Sequence, residues 1–510
     1  MEYCIVEREV FLDLQELMIL DFPELIPQFL DQSIQEKKID VLGISSNSQS
    51  VRSGWVFVAI SGAKINGSMF IAEALQRGAI AIVISSAISL DSEIISILKK
   101  QKVPFFSVVN PRRFLSLAAS RIYKKQPKVI VAVTGTSGKT SVTSFVRQIW
   151  QYGGYSSAQI GTIGIISNNA CYQSSLTTPD PVYLAQKMEE FVSEGITHVA
   201  IEASSHGLDQ HRLDGLHLFA GAFTNLGRDH MDYHATVDDY FLSKMRLFKE
   251  LLPKGAPAII WSDDSWSEKV IDIAQKSDCR VRTVGQKGTF IHLEKNDSSK
   301  DTPEVLLRID GEVFKINFPL LGTFQLNNAL VAAGLCIATD MEIPLVVNAL
   351  QSLQSAPGRL EFIGQSRLGG KIYIDYAHNP ESLEIILKTV RAFTIGRVVV
   401  VFGCGGDRDK GKRPLMGKIA LELADVVIVT DDNPRSENPS RIRAEIIGSL
   451  DMIEIGDRKE AICAAINMLK KNDTLIIAGK GHEEVQIMDQ QKIIRFSDRE
   501  EIRQFLKNDS

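Results

Sequence analysis

The fold of this chain depends on the stretch Val129-Ile-Val-Ala-Val-Thr-Gly-Thr-Ser-Gly-Lys-Thr140. Its first five residues are apolar and rich in β-formers, which indicates a buried strand that leads into a glycine-rich loop. Residues 141–150 then carry apolar side chains at helical spacing. Strand, loop and helix in this order are typical of a phosphate site, because loop glycines let backbone N–H groups surround phosphate oxygens at the positive end of the helix dipole.

The loop matches the general phosphate-binding motif only in its second half. Val133 stands where the motif has its first glycine, and Gly135 comes too late. In the matching half, we expect Lys139 to reach terminal phosphates and the Thr140 hydroxyl to bind Mg²⁺. The stretch alone leaves nucleotide binding and a chance match both open.

Composition favours a multidomain α/β protein that acts on small molecules. A chain of 510 residues exceeds what one core usually supports, and 44% apolar with 23% charged residues is typical of globular proteins. The net charge of −5 argues against a nucleic-acid or membrane-surface footprint, because both need clustered positive charge. Six scattered cysteines without a Cys-x-x-Cys pair fit reduced thiols, and no signal peptide or membrane-spanning run is visible. The sequence therefore predicts a cytoplasmic protein.

Three α/β domains are expected in series. A small N-terminal domain, residues 1–110, has short apolar runs and no catalytic constellation of its own. A central P-loop ATPase-like domain follows at residues 111–354, and residues 355–510 read as a C-terminal doubly wound, Rossmann-like domain.

In the central region, two further apolar runs end in polar residues. Glu202 ends the first run, and His230 follows the second. Reactive groups lie beyond the carboxyl ends of strands in open parallel sheets, so we expect both to share an edge with the phosphate loop. A structural salt bridge is an equally good account of Glu202 alone, but a Mg²⁺ ligand is the better one beside Thr140 and a phosphate. A solvated turn is the simpler account of His230.

The third region repeats strand and polar loop four times. Arg408, Arg435 and Glu483 each lie in a Gly- or Pro-rich loop after an apolar run. Guanidinium groups suit a carboxylate and Glu483 suits an ammonium group, so the set fits an amino acid. Surface ion pairs remain possible for any one of them.

Several motifs together resemble the Mur ligases of peptidoglycan synthesis. They are Thr134-Gly-Thr-Ser-Gly-Lys-Thr140, Glu202-Ala-Ser-Ser-His-Gly-Leu208, Asn225-Leu-Gly-Arg-Asp-His230, Lys244, Gly322-Thr-Phe-Gln-Leu-Asn-Asn328, Asp375-Tyr-Ala-His378 and Asp432-Asn-Pro-Arg435. The resemblance covers nearly the whole chain, and it accounts for the shortened phosphate loop. It implies ATP-driven amide synthesis through an acyl phosphate, in which meso-diaminopimelate is added to the D-glutamate γ-carboxylate of UDP-N-acetylmuramoyl-L-alanyl-D-glutamate.

The resemblance also implies the residues of each site. The ATP set is Gly135, Thr136, Ser137, Gly138, Lys139, Thr140, Ser141, Asn328, Arg359 and Asp375. The UDP-sugar dipeptide set is Ser48, Thr177, Thr178, Ser204, Gln210 and Arg212. The amino-acid set is Arg408, Asp432, Asn433, Pro434, Arg435, Gly479 and Glu483. The Mg²⁺ ligands are Thr140, Glu202, His230 and a carbamylated Lys244, and the catalytic residues are Lys139, His230 and Lys244.

Two departures from the family pattern weaken part of this assignment. Asn47-Ser48-Gln49 stands where the family commonly has Asp-Ser-Arg, and Gln325 replaces a frequent asparagine. Uridine contacts in the first domain therefore rest on Ser48 alone. A folylpolyglutamate synthase-like ligase and a nucleotide-binding switch without ligase activity remain as alternatives. We expect a monomer without nucleic-acid or membrane partners.

Overall fold

The structure, a computed structural model, describes residues 12–18, 28–29, 39–62, 66–167, 170–173, 176–227, 229–231, 233–297, 303–488 and 492–508. The chain divides into two compact units. Unit 1 comprises Met1–Ala132, Tyr155–Phe219 and Arg246–Pro253, and unit 2 comprises Val133–Gly154, Ala220–Met245 and Lys254–Ser510. Two parts of the sequence predictions lie outside the described residues. They are residues 1–11, which bear on the signal-peptide prediction, and Arg228 of the motif Asn225-Leu-Gly-Arg-Asp-His230.

Up to residue 122 the elements are short. The strands are β1 (Leu12–Asp13), β2 (Gln28–Phe29), β3 (Asp40–Val41), β4 (Gly43–Ser45), β5 (Trp55–Val58), β6 (Ala79–Ser85) and β7 (Phe105–Val108). The helices are α1 (Leu14–Met18), α2 (Ile71–Gln76), α3 (Ser92–Gln101) and α4 (Pro111–Ile122). Single 3₁₀ turns lie at Ser48–Ser50 and Gly67–Phe70.

The central part of the chain alternates strands and helices. The strands are β8 (Val129–Thr134), β9 (Ser157–Gly161), β10 (Gly164–Ile166), β11 (Cys171–Tyr172), β12 (His198–Glu202), β13 (Ala220–Phe223), β14 (Pro257–Trp261), β15 (Arg280–Gly285), β16 (Ile291–Asp297), β17 (Glu304–Ile309) and β18 (Glu312–Asn317). The helices are α5 (Lys139–Tyr152), α6 (Pro181–Ser193), α7 (Ser205–Asp209), α8 (Val237–Arg246), α9 (Ser267–Lys276), α10 (Thr323–Ala338) and α11 (Ile343–Leu350), with a π-helical turn at Leu247–Leu251.

The last part of the chain is a regular α/β succession. The strands are β19 (Glu361–Gln365), β20 (Lys371–Asp375), β21 (Val398–Phe402), β22 (Val426–Val429), β23 (Ile453–Glu454), β24 (Thr474–Ala478), β25 (Val485–Ile487) and β26 (Ile493–Arg495). The helices are α12 (Pro380–Phe393), α13 (Lys412–Leu423), α14 (Pro439–Ile447), α15 (Arg458–Asn467) and α16 (Asp498–Asn508).

Unit 1 contains a sheet of order β2-β7-β6-β5-β4, in which β4 to β7 run parallel and β2 is antiparallel. Successive strand residues point to opposite faces, so Val56 and Val58 enter one hydrophobic core and Phe57 enters another. The same unit carries the ladder β11-β10-β9-β12, in which β9 and β12 are parallel. A loop and the short helix α7 come directly after β12 of this ladder.

Unit 2 contains two large sets of paired strands and the small antiparallel sheet β25-β26. Strands β13, β14, β15 and β16 are parallel neighbours, and β17 and β18 extend them as antiparallel strands. Helix α10 is buried on nearly all sides and packs on α5, where the Trp150 indole donates to the Thr339 hydroxyl at 3.1 Å. An apolar helix of this kind is stabilised by its neighbours rather than by an amphipathic surface.

The second large sheet of unit 2 has the order β19-β20-β24-β21-β22-β23, and only its edge strand β19 is antiparallel. Strand β21 is buried on both faces, since Val398, Val400 and Phe402 join one core and Val399 and Val401 the other. A continuous apolar run is typical of such a doubly covered strand. The loops after β20, β21, β22 and β24 therefore leave the sheet at its carboxyl edge.

The predicted α/β fold class, with a doubly wound, Rossmann-like sheet in the C-terminal part of the chain, is confirmed. The domain boundaries at residues 110 and 354 stay predictions. Within the part of the chain that the structure describes, no helix is both long and apolar enough to cross a membrane.

Candidate functional site

The glycine-rich loop lies between β8 and α5, as the sequence predicts. Gly138 has φ of +88° and its backbone lies against α10, so that an added Cβ would stand 2.3 Å from Asn328 Oδ1. Gly135 has φ of +142°, and its Cβ would stand 1.9 Å from Thr224 Oγ1. Both positions therefore require glycine, for conformation and for space. The loop leaves the N-terminus of α5 available to an anion.

Two lysines donate to one carbonyl oxygen of this loop. Lys139 Nζ lies 2.9 Å from Gly135 O and 2.7 Å from Thr136 O, and Lys244 Nζ lies 2.8 Å from the same Gly135 O. Lys244 is 1% exposed, which is unusual for a lysine on a helix. Burial lowers the pKa of Lys244 well below its ordinary value, and the charge of Lys139 lowers it further.

Tyr240 holds Lys244 and the loop together. Its ring lies 4.2 Å from Lys244 Nζ, and its hydroxyl lies 3.1 Å from Thr136 Oγ1. Thr136 in turn accepts from the Gly227 N–H at 2.9 Å, and the Ser137 N–H donates to Asn225 Oδ1 at 2.9 Å. The loop conformation is thus fixed by contacts with the segment after β13.

Arg359 connects the phosphate loop with the C-terminal part of the chain inside unit 2. Its Nη2 donates to Thr140 Oγ1 at 3.2 Å, and its guanidinium lies 4.4 Å from the centre of the Tyr376 ring. Asp375 is buried, and its carboxylate accepts from the N–H groups of Leu360 and Ala377 at 2.7 Å each. Burial raises the pKa of Asp375, although Arg359 opposes that rise. Asp375 therefore orders the turn that carries Arg359.

His230 is 44% exposed, with φ of +55°, and its Nε2 lies 3.7 Å from the Asp229 carboxylate. Burial acts to raise the pKa of Asp229, but His230, His378 and Lys139 outweigh it and hold the pKa below its ordinary value. The carboxylate is therefore ionised near neutral pH. An anionic group beside His230 and Lys139 makes this edge of the loop suitable for a cation.

Glu202, in unit 1, is fully buried at the carboxyl end of β12. Its two oxygens accept from the Thr162 N–H at 2.8 Å and the Thr162 hydroxyl at 3.0 Å. Among the described residues no ion pair to Glu202 is found, so none of them provides the structural salt bridge that was the alternative account of Glu202. A buried carboxylate with only neutral donors is costly, and a bound cation would offset that cost.

The residues predicted to hold the UDP-sugar dipeptide surround Glu202, with one exception. Thr178 Oγ1 donates to Glu202 O at 2.7 Å and lies 2.9 Å from Ser204 Oγ. Arg212 donates to Thr178 O at 2.5 Å and to Gln210 Oε1 at 2.7 Å. Thr177 joins the same network through the Thr162 hydroxyl at 3.1 Å. The exception is Ser48, which donates instead to Glu73 at 2.7 Å.

His211 anchors the turn that presents Gln210 and Arg212. The Asn110 amide accepts from the Arg113 N–H through its oxygen, so its nitrogen donates to His211 Nε2 at 2.9 Å. His211 Nδ1 lies 2.9 Å from the Asp214 carboxylate and 2.8 Å from Arg246 Nη2. Arg246 also binds the 2% exposed Asp214 carboxylate, at 3.0 Å.

The amino-acid set occupies the loops at the carboxyl edge of the last sheet. Asn433 Nδ2 donates to Glu483 Oε2 at 3.0 Å, and Arg435 Nη1 donates to Gly406 O at 2.8 Å and Asn433 O at 3.3 Å. The Asp432 carboxylate accepts from the Asn433 N–H at 2.7 Å. Gly479, with φ of +110°, has no room for a side chain, because its Cβ would stand 2.8 Å from Asp432 Oδ2.

Two buried cations that are not among the predicted site residues support these loops. Lys480 and Arg413 are both 0% exposed. Arg413 binds both oxygens of Glu437, at 3.0 and 2.9 Å, and Glu437 accepts from the Asp407 N–H at 2.7 Å. This ties the loop of the exposed Arg408 to the loop of Arg435. Lys480 lies in a loop after an apolar run and Arg413 lies in the first turn of α13, and the local sequence at neither position indicates burial.

The structure brings together most, but not all, of the predicted residues. The loop residues, Lys244, Asn328 and Arg359 are linked in unit 2, the dipeptide set without Ser48 is linked to Glu202 in unit 1, and the amino-acid set is linked around Asn433. Ser141 is buried in the first turn of α5, and the Pro434 carbonyl lies beside Gly406. The shared edge of Glu202 and the phosphate loop stays a prediction. Within the described residues no group of three or more His, Cys, Asp or Glu side chains is arranged to hold a metal.

Three family models match the chain. They are described as Mur ligase family, catalytic domain (residues 40–123), Mur ligase middle domain (residues 133–336) and Mur ligase, glutamate ligase domain (residues 358–481). Among solved structures, one of a UDP-N-acetylmuramoyl-L-alanyl-D-glutamate–2,6-diaminopimelate ligase has a TM-score of 0.69 and 29% identity over 98% of this chain and 99% of that chain. A Mycobacterium tuberculosis folylpolyglutamate synthase complexed with ADP and AMPPCP has a TM-score of 0.60 over 73% of this chain and 92% of that one, but at 17% identity it shows the fold alone.

Curated relatives agree over nearly the full length. The chain is 54% identical to the UDP-N-acetylmuramoyl-L-alanyl-D-glutamate–2,6-diaminopimelate ligase of Brucella melitensis biotype 1. The alignment spans 452 residues, which are 88% of this chain and 91% of that protein. It is 52% identical to the enzyme of the same name from Rhizobium meliloti, over 95% of this chain and 98% of that protein. With the three matched models and the loop geometry described above, these relatives place this chain in the Mur ligase family.

Proposed function

We propose that this chain is an ATP-dependent ligase that adds meso-diaminopimelate to the D-glutamate γ-carboxylate of UDP-N-acetylmuramoyl-L-alanyl-D-glutamate, in peptidoglycan precursor synthesis. The observation that carries the choice of amino acid is the pairing of Glu483 with Asn433, which also accepts from Arg435 through its carbonyl. A carboxylate and a guanidinium joined by one residue suit the ammonium and carboxylate at the far end of diaminopimelate. Lysine has no carboxylate there for Arg435 to bind.

ATP fits the loop between β8 and α5. The N–H groups of the loop and the start of α5 suit its phosphates, and Lys139, which now donates to loop carbonyls, is close enough to turn toward them. Thr140, Asn328 and Arg359 border the same loop. The lysine and arginine would offset the negative charge that gathers when a carboxylate approaches a triphosphate.

The chemistry of the donors also fits Mg²⁺. Thr140 offers a hydroxyl, and Glu202 a buried carboxylate whose described partners are neutral. His230 lies beside an ionised Asp229, and we propose that Lys244 is carbamylated. Burial lowers the pKa of Lys244 and so favours the unprotonated amine, which is the form that adds CO₂. An N–C bond then forms and one proton is released, which turns the side chain into an anion. Bound Mg²⁺ supplies charge neutralisation at the phosphates.

The reaction has two steps. An oxygen of the D-glutamate γ-carboxylate attacks the γ-phosphorus of ATP, the bond to the β–γ bridging oxygen breaks, and ADP leaves. The diaminopimelate amine then attacks the carbonyl carbon of the acyl phosphate, loses a proton, and inorganic phosphate departs. The protein contributes placement and charge more than covalent chemistry. We propose a cytoplasmic location, since both ATP and a UDP-linked precursor are cytoplasmic substrates. We also propose that the protein is a monomer.

The experiment that tests the proposal measures phosphate release with ATP, Mg²⁺ and the UDP-sugar dipeptide, and compares meso-diaminopimelate, L-lysine and no amino acid. We expect release to depend on the dipeptide and on diaminopimelate, with lysine a poor substitute. Turnover with folate and glutamate instead would support a folylpolyglutamate synthase-like ligase. ATP hydrolysis that ignores every acceptor would support a nucleotide-binding switch, and either result would overturn the proposal.

A further inference from the structure

Lys480, between two glycines of the loop after β24, is fully buried and has three acceptors. Its ammonium donates to Asn433 Oδ1 at 3.1 Å, to Glu483 Oε2 at 2.9 Å and to Val485 O at 2.7 Å. An ammonium group has three N–H bonds, and each has an acceptor here. A buried charge satisfied in this way is rigid, because any rotation would leave a donor without its partner.

These contacts fix the orientation of the Asn433 amide. Its oxygen accepts from Lys480 Nζ and from the Ile487 N–H at 3.0 Å, and both of these groups can only donate. The amide nitrogen must therefore point to Glu483 Oε2. The Asn433 side chain is thereby locked, although it lies in a loop.

Glu483 is left with one oxygen for a ligand. Oε2 accepts from both Lys480 and Asn433, whereas no hydrogen bond or ion pair to Oε1 is found among the described residues. The Glu483 side chain is 29% exposed while Lys480 is 0% exposed, so a ligand can reach the carboxylate but not the lysine.

We infer that Lys480 is a positioning residue that acts through Asn433 and Glu483 and presents Glu483 Oε1 to the ammonium group of the incoming amino acid. The inference rests on the proposed function and deepens it, because it assigns the pocket a buried cation that does not touch the substrate. Without Lys480, Glu483 loses its strongest donor and Asn433 loses one of the two donors that fix its amide.

The test is steady-state kinetics of Lys480→Met, which keeps the length and the apolar stem of the side chain. We expect the KM for meso-diaminopimelate to rise roughly ten- to a hundredfold, the effect of losing a hydrogen bond to a charged group, while the KM for ATP stays within twofold. The matched control is Arg397→Met. It removes a bidentate pair with Asp473, at 3.1 and 2.7 Å, just before β21 and β24, at the opposite end of the same strands. It should alter thermal stability and leave both KM values unchanged.

Glu483→Gln and the double variant separate the possible outcomes. If Lys480 acts through Glu483, the double variant should raise the KM for diaminopimelate by much less than the product of the two single effects. Multiplying effects, or a Lys480→Met variant with unchanged KM, would overturn the inference while leaving the ligase function intact. Wild-type protein without diaminopimelate-dependent turnover would overturn the proposed function itself, and the inference with it. If Lys480→Met does not fold, Lys480→Gln, which removes the charge but keeps an N–H donor, carries the same test.

Discussion

Lys139 and Lys244 donate to the same carbonyl oxygen, that of Gly135, at 2.9 and 2.8 Å. Two ammonium groups on one acceptor repel each other, and Lys244 is the buried partner, so burial and this repulsion lower the pKa of Lys244 well below its ordinary value. In its neutral form, an amine next to a phosphate loop carries no charge with which to attract a phosphate or a cation. Its conversion to a carbamate would give the loop an anion and relieve the repulsion at once.

Replacement of Lys244 with alanine should abolish most turnover and leave the fold intact. We expect kcat to fall by roughly a hundredfold or more, the usual effect of losing a fixed charge at the reacting groups, and to recover partly with added acetate, which can occupy the space of the carbamate. Lys249→Ala, at an exposed lysine five positions on, is the matched control and should keep full activity. The carbamate is checked by ¹³C NMR with labelled bicarbonate. Turnover of the alanine variant equal to wild type would contradict the assignment.

Gly138→Ala should impair ATP binding far more than Gly154→Ala. Both glycines flank α5 and have positive φ, of +88° and +82°. At Gly138 the new Cβ meets Asn328 Oδ1 at 2.3 Å, whereas at Gly154 nothing lies within 4 Å. Backbone strain of about 1–2 kcal/mol is common to both variants, so only Gly138→Ala should raise the KM for ATP, by about tenfold or more. Equal ATP affinities in the two variants would mean that the loop does not bind nucleotide.

Glu202→Gln should fold normally but need more Mg²⁺. The glutamine oxygen can accept from the Thr162 N–H as the carboxylate does at 2.8 Å, and the Thr162 hydroxyl, now at 3.0 Å, can rotate to accept from the new amide. Only the charge is lost. We expect a melting temperature close to that of wild type and a rise in the Mg²⁺ concentration that gives half-maximal rate. An unchanged Mg²⁺ titration would show that Glu202 has a structural role instead.

Arg435→Ala should weaken the preference for diaminopimelate over lysine. The half-buried guanidinium is held by Gly406 O and Asn433 O, and only diaminopimelate has a distal carboxylate for it. We expect the KM for diaminopimelate to rise by about tenfold or more, with the slow turnover of lysine unchanged. Arg441→Ala is the control, because Arg441 is exposed on α14 and pairs with Glu445. A parallel loss for both amino acids would argue against this contact.

The free energy of unfolding should fall in mild acid because of the buried His198. Burial, assisted by Lys128, lowers the pKa of His198 from 6.5 to about 4. Between those values the unfolded chain binds a proton that the folded chain does not, so stability falls as the pH drops from 6.5 to 4 and levels off below. The full effect is about 3 kcal/mol. Urea unfolding of wild type and His198→Phe across this range measures it, and we expect a flatter pH profile for the variant.

The sequence by itself determined the phosphate loop, the strand order that leads to it and the polar loops of the last sheet. A local pattern suffices for these features, because strand, glycine-rich turn and helix are encoded within a few consecutive residues. The set of motifs also sufficed to indicate the family, which the matched models confirmed.

Only the tertiary structure decided which cations are buried. Lys244 and Gly135 are 109 positions apart, and Lys480 and Asn433 are 47 positions apart, so no local pattern relates either pair. Lys244 reads as an exposed helix residue and Lys480 as a loop residue, yet each is withdrawn from water by elements from elsewhere in the chain. Desolvation depends on everything that packs around a group. For this reason the sequence indicated Lys244 only through the family resemblance, did not indicate Lys480, and gave the hydrogen-bond partners of neither.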